Sequence, residues 1–236
     1  IGNLTNLSVL DLNNNYLSGH IPESICDLSP NLDVLSLDFN HLCPPYPGCV
    51  EDEIGYQETS ECQYTWHISP SGSNSNSGTE GYPFSTIQHG IEVASDGDTL
   101  LVHPGSYYGP FDFMGKNLVL GSLYLLEANE SYIDSTILLN SDTNLSVFIN
   151  VSLTAGSELN GFTFQNIVFN SGIDEPQAII YAEDASTTII NNQFDNFYLF
   201  NGGESAVIYC ENSVSLINNN IFTNGSVGNG YVLGGY

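Results

Sequence analysis

The chain has 236 residues, 41% of them hydrophobic, enough to build a core and to set disorder aside as the default. Twenty-seven acidic residues stand against one basic residue, Lys116, for a net charge of -26, a balance that repels nucleic acid and anionic lipid. Charged residues make up only 12% of the chain, so this is no acidic tail, and no stretch approaches the roughly 20 apolar residues of a membrane span.

The opening segment repeats itself. Leu7, Leu10, Leu12, Asn15 and Leu17 are echoed 25 residues later by Leu32, Leu35, Leu37, Asn40 and Leu42. Such spacing predicts a short strand around Leu10 and Leu12, an Asn turned inward onto backbone groups, and a return path. With LSGHIPESI at Leu17 to Ile25, the segment resembles the plant-type leucine-rich repeats that also occur in secreted bacterial proteins. Residues 1–63 are expected as the last repeats of a longer array, closed by a cap at CPPYPGCVEDEIGYQETSEC. Clustered Cys26, Cys43, Cys49 and Cys62 imply disulfides and an oxidising compartment. The cap resemblance favours Cys49 with Cys62 and Cys26 with Cys43, although four cysteines allow three pairings.

From Tyr64 onward the pattern changes. Ser85 is placed to cap a short helix carrying Ile87, Ile91 and Ala94 on one face, followed by a strand from Thr99 to His103, a turn at Pro104-Gly105 and a strand from Asn117 to Leu120. This run resembles the entry of pectin-lyase-like β-helix proteins. Farther on, Ala178 to Asn196 lies over Ala206 to Asn224 at an offset of 28 residues with nine identities. Phe164 and Asn166 fall in the same phase 30 residues before Phe194 and Asn196. Stacked at about 4.8 Å, such repeats form side-chain ladders. Alternation points Ala178, Ile180, Ala182, Ala206, Ile208 and Cys210 inward, and Tyr181, Tyr209, Glu183 and Glu211 outward as a surface ladder. Cys210 is then a small buried thiol, and Asn191-Asn192 and Asn219-Asn220 are turn ladders of stacked amides. The F-x-N turns and GGESAVIY at Gly202 to Tyr209 are similar to repeats of bacterial polymorphic outer-membrane adhesins.

A search for chemistry finds little. Lyases on the resembled fold abstract a proton with Arg or Lys, and Lys116 in FMGKN reads as a turn residue. There is no adjacent Asp pair for a hydrolase. His20, His41, His67, His89 and His103 show no metal-ligand spacing, so no cofactor is expected and calcium is at most adventitious. Six Asn-x-Ser/Thr sequons, at Asn3, Asn6, Asn129, Asn144, Asn150 and Asn224, are candidate glycosylation sites, although a chain this rich in Asn, Ser and Thr produces most of them by chance.

The expected fold is a mainly β solenoid. A leucine-rich repeat end (residues 1–63) runs into a right-handed parallel β-helix (residues 64–236) with a short N-terminal capping helix, incomplete at its C-terminus. The expected role is that of a secreted, cell-surface, non-enzymatic structural or adhesive protein. Its partners would be glycans or surface proteins, with end-to-end self-association into a filament as a further option. Nucleic-acid binding and membrane insertion are not expected. The competing readings are a polysaccharide lyase-like enzyme whose catalytic coils lie outside this chain, and a recognition receptor using the leucine-rich array.

Overall fold

The computed structural model describes residues 4, 6–44, 46–59, 62–140, 147–152, 154, 156–169, 177–199, 205–228 and 230–235. The chain divides into two compact units, Ile1–Gln63 and Tyr64–Tyr236.

In the first unit, strand Val9–Asp11 lies parallel to Val34–Ser36, and Ser18–His20 lies parallel to His41–Cys43. The leucine offset of 25 holds in the first pair, where Leu10 meets Leu35. It shortens to 23 in the second, so that Gly19 and not Leu17 meets Leu42. Leu10, Ile25, Leu28, Leu37, Leu42 and Val50 make the core. Asn40 is the inward Asn: its Nδ2 donates to the carbonyls of Leu12 (2.9 Å) and Leu37 (2.8 Å), and its Oδ1 accepts from Leu17 N at 3.1 Å. One buried amide therefore satisfies three backbone groups.

All four clustered cysteines are bonded, but not as the cap resemblance suggested. The pairs are Cys26–Cys49 and Cys43–Cys62, with Cα atoms 5.6 and 5.5 Å apart. The physical reason is local. The 3-10 turn Glu23–Asp27 lies beside the Pro47–Val50 turn, where Ser29 Oγ donates to Cys49 O at 3.3 Å, and this brings Cys49 to Cys26. Gln57 bridges Asn40 in parallel, so the chain beyond Gln57 runs alongside the strand that ends at Cys43 and delivers Cys62 there.

The described residues of the second unit form four sheets. Six strands (Thr65–Ile68, Thr99–Val102, Val119–Ser122, Glu158–Asn160, Thr188–Ile190, Leu216–Asn218) form one. Five (Gly105–Gly109, Thr136–Asn140, Thr163–Gln165, Gln193–Asp195, Ile221–Thr223) form a second, and five (Phe111–Asp112, Val147–Asn150, Ala178–Glu183, Ala206–Glu211, Tyr231–Gly235) a third. Val168–Phe169, Tyr198–Leu199 and Ser226–Val227 form the fourth. Every ladder is parallel, and strands follow chain order within each sheet.

This corrects the expected fold class. The described strands are divided among six separate sheets, none shared by the two units, and do not close as a single solenoid of repeat end plus β-helix. The leucine-rich repeat assignment and the filament built from solenoid ends lose their basis with it. Breaks between sheets fall at left-handed residues: Asn166, Asn191, Asn196, Asn219 and Asn224 have φ of 56°, 57°, 51°, 52° and 50°. Asn tolerates that conformation better than other side chains do.

The 28-residue offset is physical. Ala178 pairs with Ala206, Tyr181 with Tyr209, Ile189 with Ile217 and Phe194 with Phe222. Phe164, Phe194 and Phe222 stack with centroids 4.5 and 4.9 Å apart inside the main core. Asn191 donates to Asn160 Oδ1 at 2.9 Å and accepts from Asn219 at 2.6 Å, the stacked-amide arrangement expected of these turns. Ile87, Ile91 and Ala94 of the Ile87–Val93 helix region enter the same core. That helix is capped by Thr86, whose hydroxyl accepts from His89 N, and not by Ser85. Gly105 starts a strand where a turn was expected, and two helices of one turn each, Tyr124–Glu127 and Ser131–Ser135, are too short for periodicity to reveal.

Candidate functional site

Tyr181, Tyr209, Glu183 and Glu211, expected as an outward ladder, are register partners on the third sheet. Tyr181 and Tyr209 stack with centroids 5.6 Å apart and planes 4° off parallel. Tyr181 OH donates toward Glu183 Oε2 at 3.3 Å and Glu211 Oε2 at 3.4 Å. Burial, then the two carboxylates, pushes the Tyr181 phenol up to about 12. The row continues by strand register through Asp112, Asn150, Tyr181, Tyr209 and Gly234.

Two details differ from the alternation argument. Ile179 and Ile180 both enter the main core, as do Val207 and Ile208, so the period of two breaks and Ala178 and Ala206 are left on the tyrosine side. Tyr209 is also buried, only 4% exposed, and does not face solvent. The stack therefore uses one face of each ring on the other, with Tyr209 covered and Tyr181 half-buried. Glu183 and Glu211 sit side by side on neighbouring strands of one sheet.

The remaining candidates are scattered. Lys116 Nζ donates to the carbonyls of Ile91 (2.7 Å), Glu92 (2.9 Å) and Ala94 (2.8 Å) at the end of the Ile87–Val93 helix. Cys210 carries a free thiol opposite Ala182, half-buried, with burial pushing its pKa up. His67 Nδ1 and His103 Nε2 share a hydrogen bond at 3.1 Å; burial and then His103 hold His67 below the usual histidine value, opposed by Glu80. Among the described residues no group of three or more metal-ligating side chains converges. Of the sequon residues, Asn6, Asn129 and Asn224 are exposed and Asn150 is half-buried, while Asn3 and Asn144 lie outside the described residues, as do Gly202 and Gly203 of the GGESAVIY run. Asn224 Nδ2 donates to Asp195 Oδ1 at 2.8 Å.

Sequence reading missed a groove in the first unit. It encloses about 450 Å³ and is lined by Tyr16, Ser18, His20, His41, Glu58 and Gln63, beside the Cys43–Cys62 disulfide. Tyr16 is 90% exposed and stacks on His41 with centroids 5.7 Å apart. His20 Nδ1 donates to Cys43 O at 3.2 Å, which fixes its ring.

No family model matches the chain. Over 63 residues, 27% of this chain, it is 39% identical to the uncharacterized protein YwoF of Bacillus subtilis, and the match spans only 13% of that relative's length. Among solved structures, a rhamnogalacturonan lyase aligns over 73% of this chain and 62% of its own, at 13% identity and a TM-score of 0.40.

A signal for the groove was present in the repeat. Tyr16 and His41 are themselves 25 residues apart, the leucine offset, although in the structure Ser18 lies opposite His41 and Tyr16 reaches that ring from two residues earlier. Attention to the apolar positions alone passes over them, because neither belongs to the leucine pattern.

Proposed function

We propose that this chain belongs to a secreted, non-enzymatic surface protein that displays acidic, hydroxyl-rich and aromatic groups to glycans or partner proteins. The observation that carries the reading is the state of Lys116. The chain's only Lys or Arg donates to three backbone carbonyls, so the amine that a lyase would need, with its lone pair free to abstract a proton, serves instead as a helix-end cap. Glu183 and Glu211 share the hydroxyl of Tyr181 and do not oppose each other across a cleft, which also argues against hydrolysis.

Two disulfides support an oxidising location, and no helix among the described residues is long and apolar enough to cross a membrane. The charge of -26 favours neutral or basic partners. The test is to incubate the purified chain with polyuronates and neutral polysaccharides while following unsaturated products and reducing ends. No turnover is expected. Reproducible product release that is lost in Lys116→Met or in Glu183→Gln/Glu211→Gln would overturn the reading.

A further inference from the structure

The groove of the first unit has features of a ligand site that the tyrosine ladder lacks. At the ladder, Tyr209 is covered and the two rings pair face to face. In the groove, the ring of Tyr16 is 90% exposed and backed on one side by His41. An aromatic ring held this way, with polar side chains around it, suits a ligand that is flat and apolar on one face and hydroxylated at its rim.

The surrounding groups narrow the chemistry. Ser18 and Gln63 supply both donors and acceptors, and Glu58 supplies acceptors. No Lys or Arg lines the space, and the chain as a whole carries -26. An anionic ligand would find no Lys or Arg to pair with there, only the imidazoles of His20 and His41, and a repulsive field around it. The site is also braced. The parallel pair Ser18–His20 and His41–Cys43 holds Ser18 opposite His41, and the Cys43–Cys62 bond ties the wall next to Gln63. Little backbone ordering is then left to oppose binding.

We infer that this groove binds an uncharged glycan, with one pyranose ring stacked on Tyr16 and its hydroxyls bonded to Ser18, Glu58 and Gln63. The inference rests on the glycan-display reading above, and sharpens it by naming the site and excluding polyuronates as its ligand.

The experiment is calorimetric titration of the whole chain, at low salt, with cellohexaose, xylohexaose, mannohexaose and hexagalacturonate. Saturable binding of at least one neutral hexasaccharide is expected, weakened about tenfold or more in Tyr16→Ala, as for loss of an aromatic stack. Binding should be largely retained in Tyr16→Phe, weakened in His41→Ala, and unchanged in Tyr82→Ala, whose ring is 67% exposed in the other unit. Circular dichroism of each variant separates lost binding from lost structure. The inference is overturned if no neutral hexasaccharide binds, if binding ignores both Tyr16→Ala and His41→Ala, or if hexagalacturonate binds as tightly. Shortening of any probe during the titration would instead overturn the non-enzymatic reading and leave the groove standing.

Discussion

The ammonium of Lys116 donates to the carbonyl of Ala94, the residue that ends the Ile87–Val93 helix, at 2.8 Å, across 22 positions of sequence. Two more carbonyls of the last turn, those of Ile91 and Glu92, point at the same nitrogen. A cation at a helix C-terminus satisfies orphan carbonyls and complements the helix dipole.

Replacing Lys116 with Met keeps the stem and removes the charge and the donors. Chemical denaturation should show a loss of about 2 kcal/mol, the scale of hydrogen bonds to a charged group that is half-exposed. An unchanged midpoint would mean that water serves those carbonyls equally well.

Asn192 and Asn219 are both ladder residues, and their substitutions should differ sharply. Asn192 is fully buried: its Oδ1 accepts from Phe162 N, and its Nδ2 donates to Leu159 O and Asn220 Oδ1. Asn192→Ala strands these buried groups and should cost about 3 kcal/mol. Asn219 is exposed with φ of 52°, so Asn219→Gly retains the backbone shape and should cost less than about 1 kcal/mol. Equal costs in thermal unfolding would refute the burial argument.

Alkaline titration should reveal Tyr181. Its pKa is raised to about 12 in the folded chain, against about 10 when unfolded. The folded state therefore holds the phenolic proton more tightly. Its contribution to stability is complete below about pH 10 and declines as pH rises toward the folded value. Tyr181→Phe should flatten that part of the stability curve, and phenolate absorbance should lose one of its late-titrating tyrosines in that variant. Tyr107, driven up by burial, should follow the same sign.

Disulfide mapping is a direct check of the first unit. Non-reducing peptide analysis should recover Cys26–Cys49 and Cys43–Cys62, which close loops separated by 23 and 19 residues. Loop entropy makes each worth about 3 kcal/mol, so reduction should loosen residues 1–63 before the second unit. Recovery of Cys26–Cys43 would contradict the turn geometry that brings Cys49 to Cys26.

What was legible in the sequence was register, and what was not was partition. Ladder partners 28 apart, such as Tyr181 with Tyr209, could be read because repeated side chains pack on their own copies. The phase of individual positions was less secure: consecutive Ile179 and Ile180 both sink into the core, and alternation then misplaces Ala178. The division into separate sheets depends on left-handed turns whose Asn residues read equally well as stacked amides within a continuous coil. Disulfide partners were hidden because proximity of the Pro47–Val50 turn to Cys26 is a tertiary fact. The Tyr16 groove was hidden because the strand offset contracts from 25 to 23 residues beside it.

The single lysine also sets how this chain meets proteases. Trypsin-like enzymes cleave after Lys or Arg, and over 236 residues they find one such position, whose side chain is engaged with three carbonyls in the folded state. The folded chain is thereby left nearly uncuttable by enzymes of that specificity, and amine-directed reagents have one lysine side chain to modify.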